Sequence, residues 1–176
     1  LKNIDKYKED SSLKIMINNN WIGYLGDKKL KKIKILQRKL ENKINKNYQL
    51  VINSNDLDIE KKNDIINFLL KNKRDQLNRT KIFHYLNNSK YEKFLRDLFA
   101  KGSKDLISIS YIQTENKFLA VHLGFFFKEN FYYLFPVYDY QFKELSAGRF
   151  LLIKMIENCF TNNIKSFDFT TGDELY

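Results

Sequence analysis

The sequence predicts an α/β (α+β) domain, a mixed, mostly antiparallel sheet flanked by helices, with elements in the order β-α-α-β-β-β-α-β. Three observations lead there. Aromatic and β-branched runs at 106–113, 118–127 and 131–137 follow one another across short polar connections, which is the pattern of a three-strand antiparallel meander. Upstream of them, and again after residue 145, apolar residues recur at helical spacing. The second and third runs are apolar on both faces, Leu119, Val121, Leu123 and Phe125 against Ala120, Gly124 and Phe126, so helices must cover the sheet on both sides.

Residues 25–45 place Leu30, Ile33, Leu36 or Gln37, Leu40 and Ile44 on one stripe with lysines between them, a long amphipathic helix. Its polar face mixes Glu41 and Asn42 with the lysines, which favours a solvated face over a membrane-surface helix. Residues 48–52 read as a short strand ended by 53–55. A helix over 57–76 follows, with Ile59, Ile65, Ile66, Leu69 and Leu70 as its apolar set. Ser89 and Glu92 stand at capping-box spacing, Phe94, Leu95, Leu98 and Phe99 supply the buried face, and Gly102 is the expected left-handed stop. After the meander, Ser146 is the expected cap of a helix carrying Phe150, Leu151, Ile153, Met155 and Ile156. Residues 166–170 are a last strand. The organisation is residues 1–46 as N-terminal segment and linker helix, then a core over 47–176. The chain starts at Leu1 and stops straight after a motif, so it reads as a fragment with a C-terminally truncated core.

Composition excludes several classes. No run approaches the ~18 apolar residues of a membrane helix, and no stretch reads as a signal peptide, so a cytoplasmic location is expected. Cys159 is the single cysteine, and no His/Cys/Asp group has metal-ligand spacing; no metal is expected. The net charge of +10 invites a nucleic-acid reading, but it is +13 over residues 1–104 and −3 over 105–176. It is also written in lysine, 26 against 5 arginines, whereas nucleic-acid sites favour the arginine fork. The 11 Phe and Tyr residues of 118–142 read as a core sheet rather than a base-stacking platform, since positive partners are scarce there.

The element order is that of the GNAT acyltransferase core up to its fifth strand. The C-terminal segments strengthen the likeness: 119–124 (Leu-Ala-Val-His-Leu-Gly), 136–139 (Pro-Val-Tyr-Asp), 145–152 (Leu-Ser-Ala-Gly-Arg-Phe-Leu-Leu) and 167–176 (Phe-Asp-Phe-Thr-Thr-Gly-Asp-Glu-Leu-Tyr). In this order and spacing they resemble the GNAT domain of the CelD-like proteins, associated with cellulose and exopolysaccharide biosynthesis and related to FemAB-like transferases. The strong resemblance covers about the last 58 residues. It implies an acyl-CoA-dependent acyltransferase, with acetyl-CoA or another acyl-CoA as donor and a sugar, glycan precursor or amine as acceptor. It leaves room for a homo-oligomer.

The resemblance also implies a site. The strand at 131–137 would pair its backbone with the pantetheine arm through Phe135 and Val137. The helix starting at Ser146, Ala147, Gly148 and Arg149 would offer amides to the pyrophosphate, as helix N-termini do for anions. Leu145 and Phe150 depart from the family's phosphate loop, which has Gln or Arg at the first of these positions and a small residue at the second. His122, Tyr138 and Asp168 are the catalytic candidates: two bases and a phenol able to protonate the departing thiolate. Asp139, Asp173 and Glu174 are candidates for the acceptor. Each has a structural alternative: a core histidine, a strand-end turn, a hydrogen-bonded buried aspartate. Two other functions stand beside acyl-CoA transfer: a FemAB-like transferase using aminoacyl-tRNA, with the basic N-terminal part on the tRNA phosphates, and a catalytically degenerate GNAT module that only binds. An open cleft between 131–137 and 165–169 favours catalysis; a side-chain-filled gap favours the binding module.

Overall fold

The computed structural model describes residues 13–170 apart from 19, 45, 46, 55, 82–85, 87, 103, 104 and 116. Along the chain run β1 (Lys14–Met16), α1 (Trp21–Lys43), β2 (Gln49–Ser54), α2 (Ile59–Thr80), α3 (Ser89–Lys101), β3 (Ile107–Gln113), β4 (Phe118–Phe127), β5 (Asn130–Tyr138), a 3-10 segment (Tyr140–Leu145), α4 (Ala147–Thr161) and β6 (Ser166–Asp168). The strands form one sheet in the order β1-β6-β5-β4-β3-β2, antiparallel except where β5 meets β6. The mixed, mostly antiparallel sheet flanked by helices is therefore present. β1 was not foreseen: three residues are too short to show a period.

Side-chain alternation along the central strands feeds two cores. On one face α2 and α3 bury Ile65, Ile66, Leu69, Leu70, Leu95 and Phe99 against Tyr111, Val121, Leu123 and Val137. On the other, α1 and α4 bury Leu40, Phe150, Leu151, Met155 and Cys159 against Ala120, Phe131 and Phe167. β2 continues past the expected stop because Asn53, at φ 53°, forms a bulge there. Its N–H donates to Ser110 Oγ at 2.9 Å and its Oδ1 accepts from Ser108 Oγ at 2.7 Å, so both buried serines are satisfied.

Three local expectations are corrected. The α3 cap is Asn88, whose side chain accepts from the Lys90 N–H, while Glu92 turns to Arg74 and Arg96 instead of closing a box with Ser89. Those guanidiniums hold the Glu92 carboxyl below the usual range. Gly102 is extended (φ −63°, ψ 148°), not left-handed; glycine is needed because a Cβ would stand 2.0 Å from Ile107 Cδ1 and 2.4 Å from the Leu98 carbonyl. Ser146 is the left-handed residue (φ 52°, ψ 35°), and its hydroxyl makes no cap bond.

α1 is longer at its start than its periodicity suggests. Asn20 caps it by accepting the Gly23 N–H at 2.7 Å. Gly26 then breaks the helix at φ 68°, ψ 165°, a conformation glycine adopts without penalty. The turn before the break sets Trp21 and Tyr24 against Phe160 of α4, at 5.4 and 5.0 Å between ring centroids.

Candidate functional site

β5 and β6 pair in parallel over only Asn130↔Ser166, Phe131↔Phe167 and Tyr132↔Asp168. β6 ends at Asp168, whereas β5 stays paired to β4 as far as Tyr138. From Tyr133 onward the other edge of β5 faces no strand among the described residues. Thr170 Oγ1 donates to the Tyr133 carbonyl at 3.0 Å at the point of divergence. Beyond it the edge is unpaired among the described residues.

Which backbone groups face that opening follows from the ladder. The Asp139 N–H donates to the Leu119 carbonyl at 3.0 Å, so alternation turns the groups of Phe135 and Val137 toward β4. Pro136 and Tyr138 turn toward the cleft. Proline is tolerated there because its missing N–H falls on the unpaired edge.

The opening leads into a cavity of about 950 Å³ whose walls come from β5, α4 and α1. Pro136, Val137 and Tyr138 line it from the sheet, Gly148, Arg149 and Leu152 from α4, and Lys29, Lys32 and Lys39 from α1. The three lysines share a strip of the helix, at i, i+3 and i+10. Among the described residues, no carboxylate lines the cavity and none forms an ion pair with these lysines or with Arg149. Four cations around one cavity suit a polyanion.

α4 begins at this cavity. Its first amides have no intrahelical partner, and the Ser146 side chain makes no cap bond to them. Gly148 lies against the Tyr138 ring: a Cβ on it would stand 3.5 Å from Tyr138 Cδ1, an ordinary contact. Tyr138 is 39% exposed, so the residue reaches solvent at the end of β5.

Of the residues singled out in the sequence, the structure brings His122, Tyr138, Val137, Gly148 and Arg149 to one cavity. Phe135, Ser146, Ala147, Asp139 and Asp168 lie outside its lining. Asp139 accepts the Gln141 N–H at 2.9 Å and starts the 3-10 segment. Asp168 is 4% exposed, accepts the Thr170 N–H at 2.8 Å and pairs with Lys14 at 2.9 Å, across the β1–β6 ladder. Asp173 and Glu174 lie outside the described residues.

His122 is 1% exposed, stacked at 4.2 Å and 7° on Tyr133. Its Nε2 accepts the Leu134 N–H at 3.2 Å, and its Nδ1 has no partner among the described residues. Burial, with a smaller push from the charge of Lys73, holds the imidazole well below its usual range, so it is neutral at pH 7. Its basic lone pair is already engaged.

The α1 lysines were not foreseen as site residues, because their spacing reads equally as a solvated helix face. Only the docking of α1 beside α4 turns that face onto the cavity.

The family model of the acetyltransferase (GNAT) domain matches residues 28–176. Among solved structures, the chain is similar to the C-terminal domain (DUF2156) of a putative lysylphosphatidylglycerol synthetase from Agrobacterium fabrum, with a TM-score of 0.57 at 9% identity, over 92% of this chain and 46% of that one. It is also similar to a conserved protein of unknown function from Bacteroides thetaiotaomicron, with a TM-score of 0.55 at 13% identity, over 89% and 49%. At these identities the likeness concerns the fold, and the chain spans less than half the length of either structure. No curated protein matches.

Proposed function

The chain belongs to the acetyltransferase (GNAT) domain family, and from that premise we propose that it binds an acyl-CoA between β5 and β6 and transfers the acyl group to an amine or hydroxyl. The observation that carries this reading is the edge of β5 beyond Tyr133, unpaired among the described residues, set beside a helix start without a Ser146 side-chain cap and a cavity lined by four cations. An extended pantetheine arm is bounded by amides and can pair with the Pro136 and Tyr138 edge. The phosphates at its other end meet the α4 amides, Arg149, Lys29 and Lys32. These lysines offset what Leu145 and Phe150 withhold from the phosphate loop.

In the transfer, the acceptor nitrogen or oxygen attacks the thioester carbonyl, the C–S bond breaks, and the thiolate leaves. Tyr138, exposed at the end of β5 over Gly148, is the group placed to protonate it. The acceptor's proton passes to water in the open cleft. The motif series over 119–176 directs the acceptor toward a sugar or glycan precursor, as in CelD-like proteins. The Agrobacterium relative is named for a lipid product, so phosphatidylglycerol belongs in the acceptor screen.

The test is calorimetric titration of the full-length protein with acetyl-CoA and longer acyl-CoAs, followed by turnover with sugar, amine and lipid acceptors. Micromolar binding with acyl transfer is expected; no binding across the series removes the reading, and binding without turnover leaves a degenerate module. A second donor, aminoacyl-tRNA, is favoured by the lysine strip of α1. That donor requires tRNA binding that weakens steeply as salt rises.

A further inference from the structure

We propose that His122 is a positioning residue: its ring holds a bulge at Leu134 that sets which backbone groups of β5 face the cleft. The register shows the bulge. Leu123 pairs with Phe135 and Gly124 with Tyr133, so Leu134 is an extra residue on β5 with no opposite number on β4. An extra residue leaves its N–H without a ladder partner, and a half-buried donor of this kind is satisfied elsewhere. His122 Nε2 takes it, at 3.2 Å.

The neighbours keep the ring where this contact needs it. Tyr133 stacks on it at 4.2 Å, and Gly124 leaves room for it: a Cβ there would stand 2.6 Å from His122 Cε1 and 2.6 Å from the Tyr132 carbonyl. Because Nε2 accepts, the ring's single proton sits on Nδ1, which no group of the described residues receives. An unpartnered buried donor is the consequence of keeping the acceptor on the other side.

The bulge lies two residues past the last β5–β6 pair, Tyr132↔Asp168. Before it, the Tyr133 carbonyl faces outward to Thr170; after it, Pro136 and Tyr138 face outward. Were Leu134 to join the ladder instead of bulging, Leu123 would pair with Leu134, the parity of the following residues would reverse, and Phe135 and Val137 would face the cleft. The clamp itself stands on geometry alone. Its consequence for the donor rests on the acyl-CoA reading above.

The experiment uses the full-length protein and the variants His122→Gln, whose amide oxygen can still accept, and His122→Phe, whose ring cannot. Nitrogen-15 spectra at pH 7 are expected to show Nδ1 protonated and Nε2 bare, with slow exchange of the Leu134 amide. Exchange should quicken in His122→Phe and stay slow in His122→Gln. Acetyl-CoA affinity should fall about tenfold in His122→Phe and less than about threefold in His122→Gln, by loss of one buried acceptor. An Nε2-protonated ring, or Leu134 exchange equal in all three proteins, overturns the clamp. A broken clamp with unchanged acetyl-CoA affinity overturns its role in binding. If wild type binds no acyl-CoA, the donor reading fails while the spectra still decide the clamp. Should His122→Phe fail to fold, the wild-type tautomer and the His122→Gln exchange rates decide it.

Discussion

The carboxylate of Asp168 receives the ammonium of Lys14 at 2.9 Å, and the two residues face each other across the β1–β6 ladder. Asp168 also accepts the Thr170 N–H, so its oxygens are engaged on both sides. This is the environment of a carboxylate that ties an edge strand to the sheet. Hydrogen bonding and attraction to Asp168 raise the pKa of Lys14. Asp168→Asn should lower the melting temperature by a few degrees and leave kcat within about threefold of wild type. A general base would instead show a loss of a hundredfold or more on the same change. Steady-state kinetics beside a thermal melt separates the two.

Gly148 offers a second discrimination. A methyl group fits against Tyr138, and alanine at this helical position should raise stability slightly, by about 0.5 kcal/mol. The same methyl obstructs a phosphate approaching the α4 amides. Gly148→Ala should therefore fold as well as wild type and bind acetyl-CoA about tenfold more weakly. Equal affinity would mean that no anion approaches this turn.

The α1 lysines act through exposed charge. Lys29→Ala and Lys32→Ala should each weaken acetyl-CoA binding about two- to fivefold at low salt, and less as salt rises. An acyl-pantetheine without phosphates should bind both variants as it binds wild type. A charge-independent loss, equal for the two donors, would point to packing instead.

His122 sets a pH dependence. Its folded pKa is depressed below the unfolded value near 6.5, so it is the unfolded chain that takes up the proton as pH falls. Stability is therefore unaffected above that value and declines progressively below it. Chemical denaturation at pH 7.5, 6.0 and 5.0 should show a steeper loss for wild type than for His122→Gln. Parallel slopes would mean that the imidazole titrates freely.

Cys159 is fully buried in α4, and burial pushes its thiol up to about 12. A thiol-specific disulfide reagent should leave the native protein unmodified and label it fully in denaturant. Rapid labelling of the native protein would contradict the burial.

How far the site was legible depended on the kind of signal. The meander was readable to within a residue or two because alternating apolar runs and short connections are local. The Lys128 and Glu129 turn, with both residues at positive φ, fits the tight hairpin foreseen there. Caps were less legible: Ser89 and Glu92 had the spacing of a capping box, but Arg74 of α2 competes for the same carboxylate, and it is 18 residues away. The role of His122 was legible only in part. Its place on a strand among apolar residues was visible, while the Leu134 amide that occupies it comes from a bulge no local pattern announces.

The sequence by itself determined the class of fold, the two-sided burial of the sheet and the family resemblance of the last strands, since each is written in periodicity or in contiguous motifs. Only the tertiary structure decided where β5 leaves β6, which of its backbone groups face outward, and that the lysines of α1 surround the cavity. Those depend on one extra residue in a register and on the docking of a helix over 100 positions away from α4. A one-residue change of register reverses every group along a strand, and helical spacing places a charge on a face without saying what that face meets.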